Sequence, residues 1–476
     1  MQWLKTRMIH LTREERFLAM VVALSLILRL GTLWWATGHA DLSAFLQGDT
    51  KDYIALAEHL RMGDGFTKSG IGAETFRTPG LPLLLVPFTL LPSGTEWYWF
   101  ALVSSLAGGI GLPYMTYVLG KRLFGMGSAR IAAVLVAVEP MLIMLGWRPM
   151  SEVAFMLFSL GGFLLALYAY DRSSALLALG AGALLGYAAL IRPALLPTMA
   201  VVVVASIGYL AVRRMRWSTA RIPIIVAAGL LLVLLPWYVR THNISGSWAL
   251  SATGWRNVYT DYYASLRALE HKTEYPDEQH LLIVELPTHG IPIASMDDPA
   301  YEPRYRDTMV PILWEHRETV AKLETVSLLS FFSNDGYYYE LRRYGFLPPP
   351  ETGSPGQPPV VGVLYGGSSG MQAAWEEIAR QRYVPLFGRL FTFGSVLLAG
   401  VGLLTMLRKP QAWMVAGIII LSALSASVLG LEVKARLRAP IEPFIFMLAG
   451  VAIEMIMLRL VRWRSSLRRA ITTGTS

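Results

Sequence analysis

The sequence contains no cysteine in 476 residues. That absence excludes a disulfide framework and any thiolate metal site, and it removes redox chemistry as a guide to compartment. Charge is scarce as well. Asp, Glu, Lys and Arg make up 16% of the chain while 54% is hydrophobic, and the mean hydropathy is +0.44. This is too much apolar surface for a soluble enzyme of ordinary composition. The net charge of +9 would point a soluble protein toward nucleic acid. Here the basic residues sit between hydrophobic runs, so the partner they indicate is a lipid bilayer and not nucleic acid. No internal repeat is visible, which counts against transporter folds built from two related halves.

What is present is a series of apolar runs, each near the roughly 20 residues needed to cross a hydrocarbon core about 30 Å thick. They cover 17–37, 97–119, 131–147, 153–170, 174–191, 194–212, 222–239, 386–407, 411–430 and 441–460. The first follows a basic stretch but lacks a small-residue cleavage pattern, so it reads as a retained span. The expected fold class is an all-α polytopic membrane protein with about ten transmembrane helices. With both termini in the cytoplasm of a cell (inner or plasma) membrane, about nineteen cations and only about three acids fall on the inner side, a strong positive-inside bias. These cations include Lys5, Arg7, Arg13, Arg16, Lys121, Arg122, Arg130, Arg172, Arg408, Lys409 and the arginines of the C-terminal tail.

Two long polar segments then face outward. The expected division is an N-terminal membrane module over 1–239 that carries a first outer loop at 38–96, an extracytoplasmic domain over 240–385, and C-terminal membrane helices with a basic tail over 386–476. In the first loop, 83–91 is apolar but too short to span, which predicts an interfacial or re-entrant helix. In the second segment the pattern is mixed: 303–330 reads as helix, whereas 348–370, with its Pro and Gly clusters, reads as loop.

Chemistry is expected at the outer mouths of the spans. Asp49 precedes an apolar helical spacing at Ile54, Ala57 and Leu60, and the plain reading of such an aspartate is a helix cap. Around it in topology lie Arg148, Glu152, Arg192, Arg240, Lys434, Arg436 and Arg438, all at outer ends of expected spans. Snorkelling accounts for any one of them. It does not account for their gathering on the side where positive charge is disfavoured, whereas a shared phosphate does, because guanidinium pairs bidentately with phosphate oxygens. Glu139 is the ionisable exception inside a run. The outer histidines His242, His271, His280, His289 and His316 lack metal-ligand spacing, so no metal site is expected from them. Asn243 opens a glycosylation sequon close to a membrane end, and Tyr337, Tyr338 and Tyr339 with 328–332 read as an interfacial apolar patch.

These stretches resemble the membrane glycosyltransferases of the C-type fold, in particular the branch of the protein O-mannosyltransferases and aminoarabinose-lipid A transferases. The likeness is carried by Asp49 and Tyr53, by Arg77 with Thr78-Pro79-Gly80, by Ser151-Glu152, and by Leu190-Ile191-Arg192-Pro193. It continues through Pro236-Trp237-Tyr238-Val239-Arg240 with Gly246 and Leu250-Ser251, and through Ala435-Arg436-Leu437-Arg438-Ala439-Pro440-Ile441-Glu442-Pro443. It runs from about Leu42 to Pro443 but omits the second outer domain.

The resemblance implies a polyprenyl-phosphate-linked sugar as donor, a hydroxyl on protein, lipid or glycan as acceptor, and inverting transfer on the extracytoplasmic face. Asp49 would act as general base and Tyr53 would hold phosphate or sugar. Arg77, Arg192, Arg240, Arg436 and Arg438 would offset the phosphate charge, with Lys51, Asp52, Arg148 and Glu152 in support. No cofactor is implied beyond a divalent cation. The family often carries Asp-Glu where this chain has Asp49-Thr50, so metal or acceptor handling by that Glu would have to reside elsewhere. Two other classes stay open at this point: a lipid-linked oligosaccharide ligase or polymerase, and a lipid-sugar flippase.

Overall fold

The computed structural model describes residues 12–193, 196–199, 201, 221–334, 336–347, 364, 372, 384–431 and 435–473. Among these there is no strand. The first long helix, α1 (Arg13–His39), starts at a capping box in which the Thr12 hydroxyl accepts from the Glu15 amide at 3.2 Å and the Thr12 amide donates to the Glu15 carboxylate at 2.7 Å. There follow α2 (Asp49–Met62) and the short α3 (Gly80–Leu85), then α4 (Glu96–Phe124), α5 (Met126–Val138), α6 (Ser151–Arg172), α7 (Ala175–Ile191) and α8 (Ile222–Ser245). The second outer segment contributes α9 (Ala264–His271), α10 (Tyr275–Glu285), α11 (Glu302–Glu315), α12 (Arg317–Ser333) and α13 (Tyr337–Arg343). The chain returns through α14 (Val384–Thr405), α15 (Pro410–Ser427) and α16 (Glu442–Thr473), the last led in by a short helix at Ala435–Arg438.

Seven of these stretches are long and apolar enough to cross a bilayer: α1, α4, α6, α8, α14, α15, and α16 with its lead-in. The chain is a multi-pass membrane protein. Two expected spans differ, and a third falls mostly outside the described residues. The run 131–147 is not one helix, because Glu139 caps a new turn, Pro140–Met144, and accepts from the Leu142 amide, while Pro140 lacks the amide a continuous helix needs. The remaining α5, 13 residues long, rises only about 20 Å. Likewise α7, with 17 residues, falls among the shorter apolar helices. The run 194–212 lies almost wholly outside the described residues. The expected loop at 348–370 also lies outside them except for residue 364. The expected helix at 303–330 is two helices broken at His316, and 83–91 forms α3 and one 3-10 turn, too short to span.

Within the bundle, α7 packs between α6 and α8, α4 lies against α1 and α5, and α16 lies against α5 and α14. The α7–α8 crossing is close enough that a Cβ on Gly182 would sit 2.1 Å from the Val226 carbonyl oxygen, so only glycine fits there. The basic helix ends share one face: Lys121 at the end of α4 pairs with Glu14 at the start of α1 at 2.5 Å, and Arg122 pairs with Asp171 at the end of α6. At the opposite end, the Thr75 hydroxyl donates to the Asp297 carbonyl at 2.8 Å, and the Thr75 carbonyl accepts from the Ala252 amide at 3.1 Å. The first outer loop is thereby tied to the second outer segment, which has its own apolar centre around Tyr259, Leu282, Leu286, Tyr305 and Met309.

More charge lies at depth than the sequence reading allows. Arg29, inside the first apolar run, is fully buried and donates to the Leu142 carbonyl at 2.7 Å. Glu139 accepts from the Tyr337 hydroxyl and faces the Glu442 carboxyl. Glu442 in turn takes a bond from Arg438 Nε at 3.2 Å, and Arg438 Nη1 donates to the carbonyls of Phe331 at 2.7 Å and Asn334 at 2.6 Å. The depth of burial, not a shared ligand, explains this grouping: an unpaired charge in hydrocarbon is costly, and these four offset one another.

Gly80 joins this framework to the outer loop. A Cβ there would lie 2.5 Å from the backbone of Leu190 and Ile191, just before Arg192, and the Tyr187 hydroxyl donates to the Gly80 carbonyl at 2.9 Å. Gly80→Ala is expected to destabilise the detergent-solubilised protein by about 1–3 kcal/mol through overpacking, read as a lowered Tm. Gly400→Ala, where a Cβ meets nothing within 4 Å, should leave Tm unchanged or slightly raised.

Candidate active site

The helix α2 begins at Asp49, and its N-cap is Gly48 with φ +61°, a left-handed conformation that favours glycine. Asp49 therefore lies one residue inside the helix and makes no capping bond. Its carboxylate accepts instead from two guanidinium groups: Arg77 Nη2 reaches Oδ1 at 2.6 Å, and Arg436 Nη2 reaches Oδ2 at 2.7 Å. The same two arginines extend the pairing in both directions. Arg77 also donates to Asp52 Oδ2 at 3.1 Å, and Arg436 Nε donates to Glu152 Oε1 at 2.6 Å. Arg192 Nη1 closes the row, donating to Glu152 Oε1 at 2.5 Å and to the Ser151 hydroxyl at 3.1 Å. The result is an alternating line of charges, Asp52, Arg77, Asp49, Arg436, Glu152 and Arg192, drawn from four separate parts of the chain.

Each member is seated by local structure. One turn along α2, Tyr53 is buried and lies under the Arg77 guanidinium, 5.4 Å from the ring centroid. Phe76 carries the same guanidinium at 5.0 Å. The Phe76 and Arg77 amides both donate to Glu74 Oε1, which fixes the turn that aims Arg77. Glu152 is in the first turn of α6, and Arg192 terminates α7 with extended backbone just beyond the Gly80 contact. Thr50 packs fully buried on the 149–150 turn, its hydroxyl donating to the Pro149 carbonyl at 3.3 Å. The position where the resembled family often has Glu thus serves here as a seam between α2 and the approach to α6.

Accessibility separates the two carboxylates that share Arg436. The Asp49 side chain is 23% exposed and that of Glu152 is 0%, so only Asp49 can meet an incoming molecule. Burial alone would raise the Asp49 pKa, but Arg436 and Arg77 outweigh it and hold the carboxyl well below the usual carboxylate range. For Arg77, burial acts against the charge, while Asp49, Tyr53 and Asp52 carry its pKa above the ordinary arginine value. Burial raises the Tyr53 phenol, which stays protonated and able to donate.

The remaining sequence candidates lie in other contacts. Arg148 is fully buried and gives both its bonds, each 3.2 Å, to Glu340. Arg240 stacks on Trp237 and Phe66, 4.3 and 5.2 Å from their centroids, and donates to the Phe66 carbonyl at 3.4 Å. Arg438 belongs to the buried group with Glu442 and points away from the Asp49 row, and Lys51 is exposed. Three neighbours escaped sequence reading: Lys68, which bridges Glu74 at 2.8 Å and Asp52 at 3.8 Å, Glu340, and Arg343, whose Nη1 lies 3.8 Å from where a Gly48 Cβ would be. The Glu340 to Arg343 spacing on one helical turn was their available signal.

A divalent cation does not fit this row. Both Asp49 oxygens already accept from arginine, and guanidinium groups flank each accessible carboxylate. Among the described residues no group of three or more His, Asp or Glu gathers as a metal site.

No family model and no curated protein matches the sequence. The fold, however, matches solved structures. The crystal structure of the Archaeoglobus fulgidus oligosaccharyltransferase in the apo form aligns with 14% identity and a TM-score of 0.52, over 96% of this chain and 52% of that one. The complex of the same enzyme with Zn and sulfate gives 13%, 0.52, 96% and 51%. The oligosaccharyltransferase AglB from the same organism, in complex with an inhibitory peptide and a dolichol-phosphate, gives 13%, 0.50, 97% and 52%. ArnT from Cupriavidus metallidurans bound to undecaprenyl phosphate aligns at 13% identity over 92% of this chain and 77% of that one, with a TM-score of 0.36 that is too loose to argue from. The chain spans about half the length of the oligosaccharyltransferase chains it matches. It has the C-type fold of membrane glycosyltransferases.

The pairing can be measured. A double-mutant cycle on Asp49→Asn and Arg436→Gln is expected to give a coupling of about 0.5–3 kcal/mol. The Asp49 pKa is depressed on folding, so its contribution is complete above the unfolded value near 4 and is lost only as pH falls through the lower folded value. The coupling should thus be constant from about pH 8 to pH 5 and disappear only in stronger acid.

Proposed function

We propose that the chain is a membrane glycosyltransferase that moves a sugar from a polyprenyl-phosphate carrier to an acceptor hydroxyl, with Asp49 as general base. The observation that carries this reading is the sharing of Asp49, a partly accessible carboxylate, between the guanidinium groups of Arg77 and Arg436. A base and phosphate-binding cations are thereby within one hydrogen bond of each other. The face bearing the row lies opposite the basic helix ends, which by the positive-inside rule are cytoplasmic. The reaction is accordingly extracytoplasmic, with both termini inside.

In the transfer, the acceptor oxygen attacks the anomeric carbon from the side opposite the phosphate. The bond from that carbon to the phosphate oxygen breaks, the phosphate leaves with the electron pair, and the acceptor proton passes to the Asp49 carboxylate. The configuration inverts. Arg77 and Arg436 are the groups placed to offset the charge that grows on the departing phosphate, a service of fixed cations in a partly dehydrated site. Arg192 holds Glu152, and Glu152 holds Arg436, so both act as positioning residues.

Clamped by two guanidiniums, Asp49 is a poor base. A bound phosphate competes for the same N–H donors, and each bond it draws from Asp49 restores basicity to the carboxylate. The donor would therefore activate the base as it binds, which limits idle chemistry on water. Tyr53, neutral and beneath Arg77, is placed to donate to phosphate or sugar. Support for a larger donor, a pyrophosphate-linked oligosaccharide, comes from the fold shared with oligosaccharyltransferase.

With protein in lipid nanodiscs, release of free polyprenyl phosphate from a single-sugar carrier is expected to fall by roughly 10²–10⁴-fold in Asp49→Asn, while carrier binding is retained. Undiminished release by that variant rejects Asp49 as base. Release only from a pyrophosphate-linked oligosaccharide selects the second donor, and no release from either, with lipid-linked sugar moved across the bilayer, identifies a flippase.

A further inference from the structure

Charge accounting around the row leaves one cation poorly matched. Arg77, Arg436 and Arg192 each hold a carboxylate oxygen within 2.7 Å, and Arg148 holds both Glu340 oxygens at 3.2 Å. Among the described residues Arg343 has a single long ion pair, 3.7 Å to Glu340 Oε2, an oxygen that Arg148 already occupies. Its guanidinium lies on the flank of Gly48, next to Asp49, with its side chain 33% exposed. Burial and the nearby charges of Arg148 and Arg436 act against its protonated form, while Glu340 and Tyr344 favour it. A cation held among other cations with only a long carboxylate contact is electrostatically incomplete, and a phosphate anion supplies what is missing.

We propose that Arg343 is a phosphate ligand of this site, grasping the anion of the donor from the Gly48 side while Arg436 holds it from the side of the last membrane helix. The geometry gives Arg343 a division of labour with its neighbours. Arg77 and Arg436 already hold carboxylates at 2.6–2.7 Å, whereas Arg343, 3.7 Å from its carboxylate, is less engaged and so makes the first contact. Its place on α13, within the second outer segment, would let that segment sense whether a donor is bound. This inference rests on the proposed function for the lipid attached to the phosphate. It rests on the residues alone for the phosphate itself.

The test is a binding titration by native mass spectrometry on the full chain, using undecaprenyl phosphate, undecaprenol as the phosphate-free control, and inorganic phosphate as competitor. Arg343→Ala is expected to weaken undecaprenyl phosphate binding about tenfold or more, the loss of one charge-assisted pair. Arg343→Lys should recover part of it, and undecaprenol should bind weakly and equally to all variants. Both variants must keep the wild-type Tm and elution profile, which partial exposure of the side chain favours. Equal binding of undecaprenyl phosphate to wild type and Arg343→Ala, with a loss in Arg436→Gln, overturns the assignment of Arg343 and leaves the glycosyltransferase reading intact. Binding of inorganic phosphate alone, lost in Arg343→Ala, upholds the ligand and overturns the lipid carrier. Absence of binding to either overturns both.

Discussion

The contact between Asp49 and Arg436 joins parts of the chain separated by most of its length, the first outer loop and the lead-in to the last membrane helix. Neither group can be left alone at this depth: a partly buried carboxylate or guanidinium without a partner is costly, and each satisfies the other with a short charge-assisted bond. Because Arg436 also holds Glu152, the same contact fixes the start of α6, and through Arg192 the end of α7. Four segments thus meet at one row of alternating charge. The order of the row places the partly exposed carboxylate of Asp49 between two guanidinium groups.

Close packing prepares the row from below. The approach of Gly80 to the backbone of Leu190 and Ile191 sets where α7 ends, and the extended backbone there presents Arg192. Thr50 does the same for α2 by sitting on the Pro149 carbonyl. Neither contact involves a charged group, yet each decides where one arrives. The threonine thereby forms a buried seam between α2 and the approach to α6.

A second set of charges lies deeper and has a different task. Arg29, Glu139, Arg438 and Glu442 are buried in the bundle, and their bonds run to each other, to Tyr337 and to free carbonyls at helix ends. Pro140 breaks the helix beside Glu139, and the backbone groups released by the break are met by Glu139 and Arg29. Irregular backbone at membrane depth survives only where protein groups satisfy it. These residues are the supports of that break, and they bind α1, the 139–144 turn, the 331–337 region and the head of α16 into one unit.

Periodicity and composition determined that the chain is helical and membrane-embedded, because hydrocarbon admits only segments that satisfy their own backbone and such segments are legible as apolar runs. The gathering of basic residues between runs determined which helix ends share a face. Asp49, Tyr53, Arg77, Glu152, Arg192 and Arg436 could be named in advance from the motifs that contain them. What the motifs could not give is direction around each helix. Arg436 and Arg438 are two residues apart, about 200° around a helix, so one turns to Asp49 and the other to Glu442. Arg148 and Arg240 likewise stand at outer ends but face Glu340 and an aromatic stack. Arg29 was hidden because a single charge scarcely alters the mean hydropathy of a long run, and Arg343 because its short helix carries no signal of depth. The sequence by itself determined the medium and the element type. Only the tertiary structure decided which cations meet the carboxylate, since that depends on how the helices are rotated and packed against one another.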